Sequence, residues 1–302
     1  MLDVLTRAGC FIAIIIVGYV LRRVNFFKEG DFAVLSKSTL KITLPAAFIS
    51  NFSGKKIDPS MLFLTLMAFG AGILYIILGY VINLGKSKEE KAFGVLNLPG
   101  YNIGNFTIPF VQSFLGPVGV IATSLFDTGN AAICLGGSYG IASMVKDGQK
   151  FSIVKVLKTV TKSVAFDCYV IMILMQLLRM PIPGPIVSFA GIIGNANAFV
   201  AMLMIGVGFK LSGDMSQKKS IIRILTVRYS VAAVISAACY FLLPFSVEVR
   251  SALAILPFSP IGSAAPAFTK DLGGDTGLAS AVNSISIVIS IVCIVGLLLF
   301  LV

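Results

Sequence analysis

Residues 97–110 read Asn-Leu-Pro-Gly-Tyr-Asn-Ile-Gly-Asn-Phe-Thr-Ile-Pro-Phe, and residues 255–268 read Ile-Leu-Pro-Phe-Ser-Pro-Ile-Gly-Ser-Ala-Ala-Pro-Ala-Phe. Both stretches lie inside long apolar tracts. Proline removes a backbone donor and clashes with the preceding helical turn, and glycine lowers the cost of unwinding. The first stretch carries Pro99, Gly100, Gly104 and Pro109, with Asn97, Asn102, Asn105 and Thr107 among them. The second carries Pro257, Pro260, Gly262 and Pro266, with Ser259 and Ser263. Such clustering predicts two broken helices. In a bilayer, unwound backbone must be satisfied by protein, water or ligand, because each free group costs several kcal/mol in hydrocarbon.

The two stretches align at a fixed offset. Pro99 meets Pro257, Ile103 meets Ile261, Gly104 meets Gly262, Phe110 meets Phe268 and Gly116 meets Gly274. The rest of the chain gives this offset its meaning. It has 302 residues, 57% hydrophobic and 12% charged, and its mean hydropathy is +0.97. Soluble domains carry about 25% charged residues, so this is an all-α integral membrane protein. A span needs roughly 20 apolar residues, and ten are expected: about 4–24, 32–52, 60–84, 92–114, 117–145, 153–179, 185–209, 219–243, 247–270 and 275–302. The broken stretches are then the fourth span of each five. An odd number of spans per half gives the halves, 1–150 and 151–302, opposite orientations. An inverted-topology repeat is a recurring plan of secondary transporters.

The net charge of +11 fits loops that orient helices by the positive-inside rule, not nucleic-acid binding. Arg22, Arg23, Lys28, Lys86, Lys88, Lys91, Lys146, Lys150, Lys155, Lys158, Lys210, Lys218, Lys219, Arg223 and Lys270 fall on one side. Arg7, Lys55, Lys56, Arg179 and Arg250 fall on the other. Both termini are therefore expected outside. The basic residues Arg22 and Arg23 follow the first apolar run, so it reads as a span and not as a cleaved signal. The chain lacks His, and its five cysteines, Cys10, Cys134, Cys168, Cys239 and Cys293, form no CxxC pair. No metal site, cofactor, disulfide or enzymatic chemistry is expected.

The segment Asn102-Ile-Gly-Asn-Phe-Thr-Ile-Pro109 resembles the NxGxxxxP signature of the auxin efflux carrier family. That family includes plant auxin exporters and bacterial permeases for malate, malonate and similar carboxylates. The resemblance implies an NhaA-like fold with crossed broken helices four and nine. It also implies a scaffold domain of spans 1, 2, 6 and 7, through which a homodimer is expected, and a transport domain of spans 3–5 and 8–10 working as an elevator. Asn102 takes the place of the family's carboxylate-contacting asparagine, and the crossover prolines are Pro109 and Pro266. The plant members' long loop between spans five and six is absent here, which favours a small metabolite over auxin.

Substrate-site candidates are Asn102, Gly104, Asn105, Pro109, Ile261, Gly262, Ser263, Pro266 and Asn283. Asp127 and Asn130, three apart on one helical face and near mid-bilayer, are coupling-ion candidates, for a proton or for sodium. A carboxyl satisfied by neighbouring hydroxyls is the plain alternative. Asp167 is read as a structural partner. Arg228 either snorkels to the surface, pairs with an aspartate or attracts an anionic substrate. Gly70, Gly72 and Gly79 are expected to let helices approach. The leading expectation is a plasma-membrane secondary transporter for a mono- or dicarboxylate. A cation/proton antiporter or sodium-coupled symporter of the NhaA or bile-acid type is the alternative.

Overall fold

A computed structural model describes residues 2–28, 30–55, 58–209 and 217–301. Lys56 and Lys210, two of the orienting charges, lie outside the described residues, as does Val302. Among the described residues all regular structure is helical, apart from one isolated antiparallel bridge between Tyr101 and Ile261.

In chain order the helices are α1 (Leu2–Arg23), α2 (Asp31–Phe52), α3 (Pro59–Val81), α4 (Lys88–Asn97), α5 (103–114), α6 (Gly116–Asp147), α7 (Ile153–Val160), α8 (Val164–Leu177), α9 (Gly184–Gly208), α10 (Lys218–Leu242), α11 (Val247–Ile255), α12 (Ala265–Asp271) and α13 (Thr276–Leu301). Seven of these, α1, α2, α3, α6, α9, α10 and α13, are long and apolar enough to cross a membrane. The pair α7 and α8 passes only as a unit, bent by 82°. The remaining four are short and come in two pairs, α4 with α5 and α11 with α12. Each pair is separated by the proline-rich stretch that the sequence marks as a break.

Local chemistry explains where helices start and stop. Ser87 Oγ accepts from the Glu90 N–H at 3.2 Å to begin α4, and Ser163 Oγ does the same for Phe166 at 3.4 Å to begin α8. Such caps are worth about 1 kcal/mol each. Asp275 Oδ1 accepts from the Leu278 N–H at 2.8 Å at the start of α13. Gly148, in the left-handed region at φ 69°, closes α6.

The outer faces are apolar. Ile16, Val20, Leu66, Ile77, Ile192, Val234 and Val292 are all exposed. In water so much exposed apolar surface would drive aggregation; in lipid it is the solvent-facing surface. Inside, α1, α2, α8 and α9 pack on one another, α9 lying against both α1 and α2. The helices α3–α6 and α10–α13 form a second contiguous set. Phe11 of α1 meets Phe110 of α5 edge to face at 5.1 Å between the two sets.

Small residues set the closest approach. A Cβ on Gly79 of α3 would lie 2.3 Å from the Gly94 carbonyl oxygen of α4, and one on Gly94 would meet the Gly79 carbonyl at the same distance. A Cβ on Gly72 would lie 2.4 Å from Ile133 of α6. Gly70 differs from its expected role, since it faces open space; it sits on the face of α3 turned away from α4 and α6. Replacing Gly79 by Ala should therefore push α3 from α4 and cost about 1–3 kcal/mol, read as a lower thermal midpoint in detergent. Gly70→Ala should leave the midpoint unchanged.

Candidate functional site

The two interrupted segments meet each other in antiparallel register. Asn97 Nδ2 donates to Thr269 Oγ1 at 3.0 Å. Tyr101 forms the β-bridge with Ile261, and the Asn102 N–H donates to the Pro260 carbonyl at 2.9 Å. Thr107 and Ser259 share a hydroxyl–hydroxyl bond of 2.6 Å. Thus the first half of each segment lies beside the second half of the other. Pairing two breaks answers part of the backbone's need for partners, since each strip supplies what the other lacks.

The remaining need falls largely on Arg228. This side chain projects from α10, is fully buried, and sits over the rings of Tyr75 and Tyr101, with 5.4 and 5.2 Å from guanidinium carbon to ring centroid. It donates to the carbonyls of Leu98, Gly100 and Ser259, the last two at 2.9 Å. These carbonyls lie at the C-terminal ends of the two first half-helices, where four carbonyls per helix lack intrahelical partners and the helix dipole is negative. The expectations of a snorkelling Arg228, a carboxylate pair or a substrate contact give way to this one. Backbone breaks supply the acceptors, and hydropathy alone does not reveal that a guanidinium well inside a helix faces them.

Two side-chain clamps hold the strips. Asn130 of α6 accepts from the Tyr101 N–H at 3.0 Å and donates to the Tyr101 carbonyl at 2.8 Å. On the other strip, Asn283 of α13 donates to the Ile261 carbonyl at 3.0 Å, while Ser286 Oγ accepts from the Ile261 N–H at 3.1 Å.

In front of the strips lies a cavity of about 110 Å³. Its wall includes Asn102, Gly104, Asn105, Asp127, Asn130, Gly262 and Ser263. These are seven of the residues singled out from sequence. The other four, Pro109, Ile261, Pro266 and Asn283, do not line it. Pro109 and Ile261 are buried, and Asn283 is spent on backbone. The cavity opens at the start of α5 and at Gly262–Ala264 just ahead of α12, so helix beginnings, not helix ends, face it. Asn102 has no side-chain hydrogen bond among the described residues, and the buried Asn105 Oδ1 has no partner. Two amides thus stand ready beside N–H-rich backbone.

Asp127 completes the wall. Its Oδ1 accepts from Asn130 Nδ2 at 2.8 Å and its Oδ2 from the Tyr169 hydroxyl at 2.8 Å. Tyr169 belongs to α8 and escaped the sequence reading, because one hydroxyl in an apolar run says nothing of a carboxylate 42 residues away. Tyr101, Cys134 and Leu44 also line the cavity unforeseen. Asp167 lies in the first turn of α8, past the 82° bend, where a carboxylate complements the helix dipole.

A multi-pass apolar helical chain that walls a polar cavity with two interrupted segments is built as a membrane transporter. A family model described as membrane transport protein, of the auxin efflux carrier type, matches residues 10–167. That is more than half of the chain, which belongs to this family. No curated protein matches the chain.

The Arg228 contacts yield a prediction. Arg228→Met removes several carbonyl bonds worth about 1.5–3 kcal/mol each and should lower unfolding stability by about 3 kcal/mol or more. Arg228→Lys, with its charge but no planar fork, should fall between the variant and the native protein. Thermal denaturation in detergent gives the order.

Proposed function

We propose that this transporter carries a small organic anion, a mono- or dicarboxylate, by alternating exposure of the cavity between the two breaks. One observation carries the reading. Arg228 neutralises the carbonyl ends of the first half-helices, and besides Asp127 and Asn130 the polar wall of the cavity is left to the unpartnered Asn102 and Asn105 amides and to helix starts. Helix starts present free N–H groups and partial positive charge, a setting that suits carboxylates. A volume of about 110 Å³ suits a few heavy atoms.

The same reading counts ten spans. The seven long helices and the bent pair make eight, and α4–α5 and α11–α12 supply the broken fourth and ninth. The antiparallel register of the strips supports two inverted five-helix repeats, 1–150 and 151–302, in an NhaA-like arrangement. The denser packing of α1, α2, α8 and α9 among themselves supports a scaffold of spans 1, 2, 6 and 7, with the other six as an elevator-type transport domain. A homodimer joined at the scaffold, both termini outside and a plasma-membrane location complete the proposal.

Within the site, Asn102, Asn105, Gly104, Gly262 and Ser263 contact the anion. Pro109, Ile261, Pro266 and Asn283 shape the strips from behind. Asp127, oriented by Asn130, is the coupling group. That a carboxylate lines the cavity also favours a second reading, a cation/proton antiporter or sodium-coupled symporter, in which Asp127 and nearby carbonyls hold the cation.

A thermal-shift screen of mono- and dicarboxylates, followed by counterflow in proteoliposomes, separates these readings. Asn102→Ala should abolish carboxylate binding while expression and folding persist; unchanged uptake would exclude the site. Asp127→Asn should remove driving by a pH gradient yet leave counterflow running. Driving that survives the substitution assigns coupling elsewhere. Sodium-dependent stabilisation without any carboxylate effect would favour the second reading.

A further inference from the structure

A larger hollow, about 520 Å³, lies beside the cavity. Lys150, Lys155, Lys158 and Lys162 line it, with Asp271 as the one acidic group in its wall. Ser143, Gln149, Ser152 and Thr159 add hydroxyls and an amide. The proposed function makes no use of this space.

Its construction follows from the bend. α7 turns 82° from α8 and is too short to span. Its Val156 and Val160 are buried with Ala131 of α6, and Leu135 packs against them. Its Ile153, Val154 and Leu157 are exposed. Lys155, Lys158 and, just beyond the helix, Lys162 lie away from the buried valines and line the hollow. They meet α6 at the point where it departs from α-helical form, over Ile133–Gly137. Leu135 of that segment belongs to the wall of both the hollow and the smaller cavity. One leucine side chain and its neighbours therefore separate a lysine-lined space from the amides of Asn102 and Asn105.

We propose that this hollow is an electrostatic vestibule that gathers doubly charged dicarboxylates for the inner cavity and sets their preference over monocarboxylates. The inference rests on the organic-anion reading above. Clefts lined by one sign of charge concentrate counter-ions and raise association rates by about 10–1000-fold, an advantage that falls with ionic strength. The attraction doubles with the charge of the ligand, so a dianion gains far more than a monoanion of similar size. The lysines are exposed, so neutralising them leaves the helix packing intact, because that packing uses Val156 and Val160.

The test uses malonate and acetate as dianion and monoanion in phosphatidylcholine proteoliposomes. The variant is Lys155→Gln/Lys158→Gln/Lys162→Gln. It should raise the malonate KM about tenfold, flatten its dependence on ionic strength, and leave the acetate KM and both maximal rates near the native values. An unchanged malonate KM and salt dependence, with native transport intact, would overturn the vestibule alone. Absence of carboxylate flux in the native protein would overturn the organic-anion reading as well. Asn102→Ala marks the difference within one experiment, because it should lose both acids at every ionic strength. If the lysine variant differs from the native protein only in vesicles containing phosphatidylglycerol, the lysines hold lipid headgroups, and the vestibule is refuted.

Discussion

A single buried guanidinium settles how this chain tolerates two unwound segments inside a membrane-spanning fold. Broken helices expose carbonyls as well as N–H groups, and leaving either unpaired in an apolar interior costs about 1–3 kcal/mol per group. Arg228 has five donors in a planar fork, and it makes three hydrogen bonds to carbonyls from both segments, while its buried Nε has no partner among the described residues. The strips are thus held to each other and to α10 by one side chain. Tyr75 and Tyr101 stack around the cation, and the Tyr75 hydroxyl donates to the Arg228 carbonyl at 2.9 Å. The charge is compensated by dipoles and ring faces instead of a carboxylate.

That division of labour gives the site its polarity. With the carbonyl ends covered by Arg228, and the strips clamped by Asn130, Asn283 and Ser286, only the beginnings of the second halves face open space. The electrostatic character of the cavity is therefore a consequence of what is already satisfied. The small residues serve the same end, since Gly104 leaves room beside Leu44, whose side chain a Cβ would approach to 3.1 Å.

Much of this was legible in the sequence because membranes make breaks expensive. Pro99, Gly100, Pro257 and Pro260 announce the strips, and their fixed offset announces that the strips correspond. Asn102 and Asn105 announce polarity at the same depth. The limits are equally physical. Which face of a helix a residue presents depends on rotation about its axis, and apolar periodicity is weak when one side meets lipid and the other meets protein. Arg228 and Tyr169 were therefore misread or missed, since their meaning lies in partners far along the chain. Asn283 reads in the sequence as a cavity residue because its amide needs a partner; the partner is the Ile261 carbonyl. Gly70 and Gly79, alike in sequence, differ only in which neighbour lies opposite.

The hydrogen bond from Tyr169 to Asp127 crosses from the set holding α8 to the set holding α6. Under the elevator proposal that boundary is the plane of sliding, so the bond is a clasp that every stroke must release. A hydrogen bond to a charged acceptor is worth about 1.5–3 kcal/mol, small beside a fold and several times thermal energy. The clasp ends on the same carboxylate that faces the cavity, so under that proposal a proton or cation taken up by Asp127 competes with the Tyr169 hydroxyl and loosens the contact that resists motion. On the elevator proposal, the carrier without its coupling ion is held at rest and the one that has taken it up is freed, which is the condition for moving cargo without slippage.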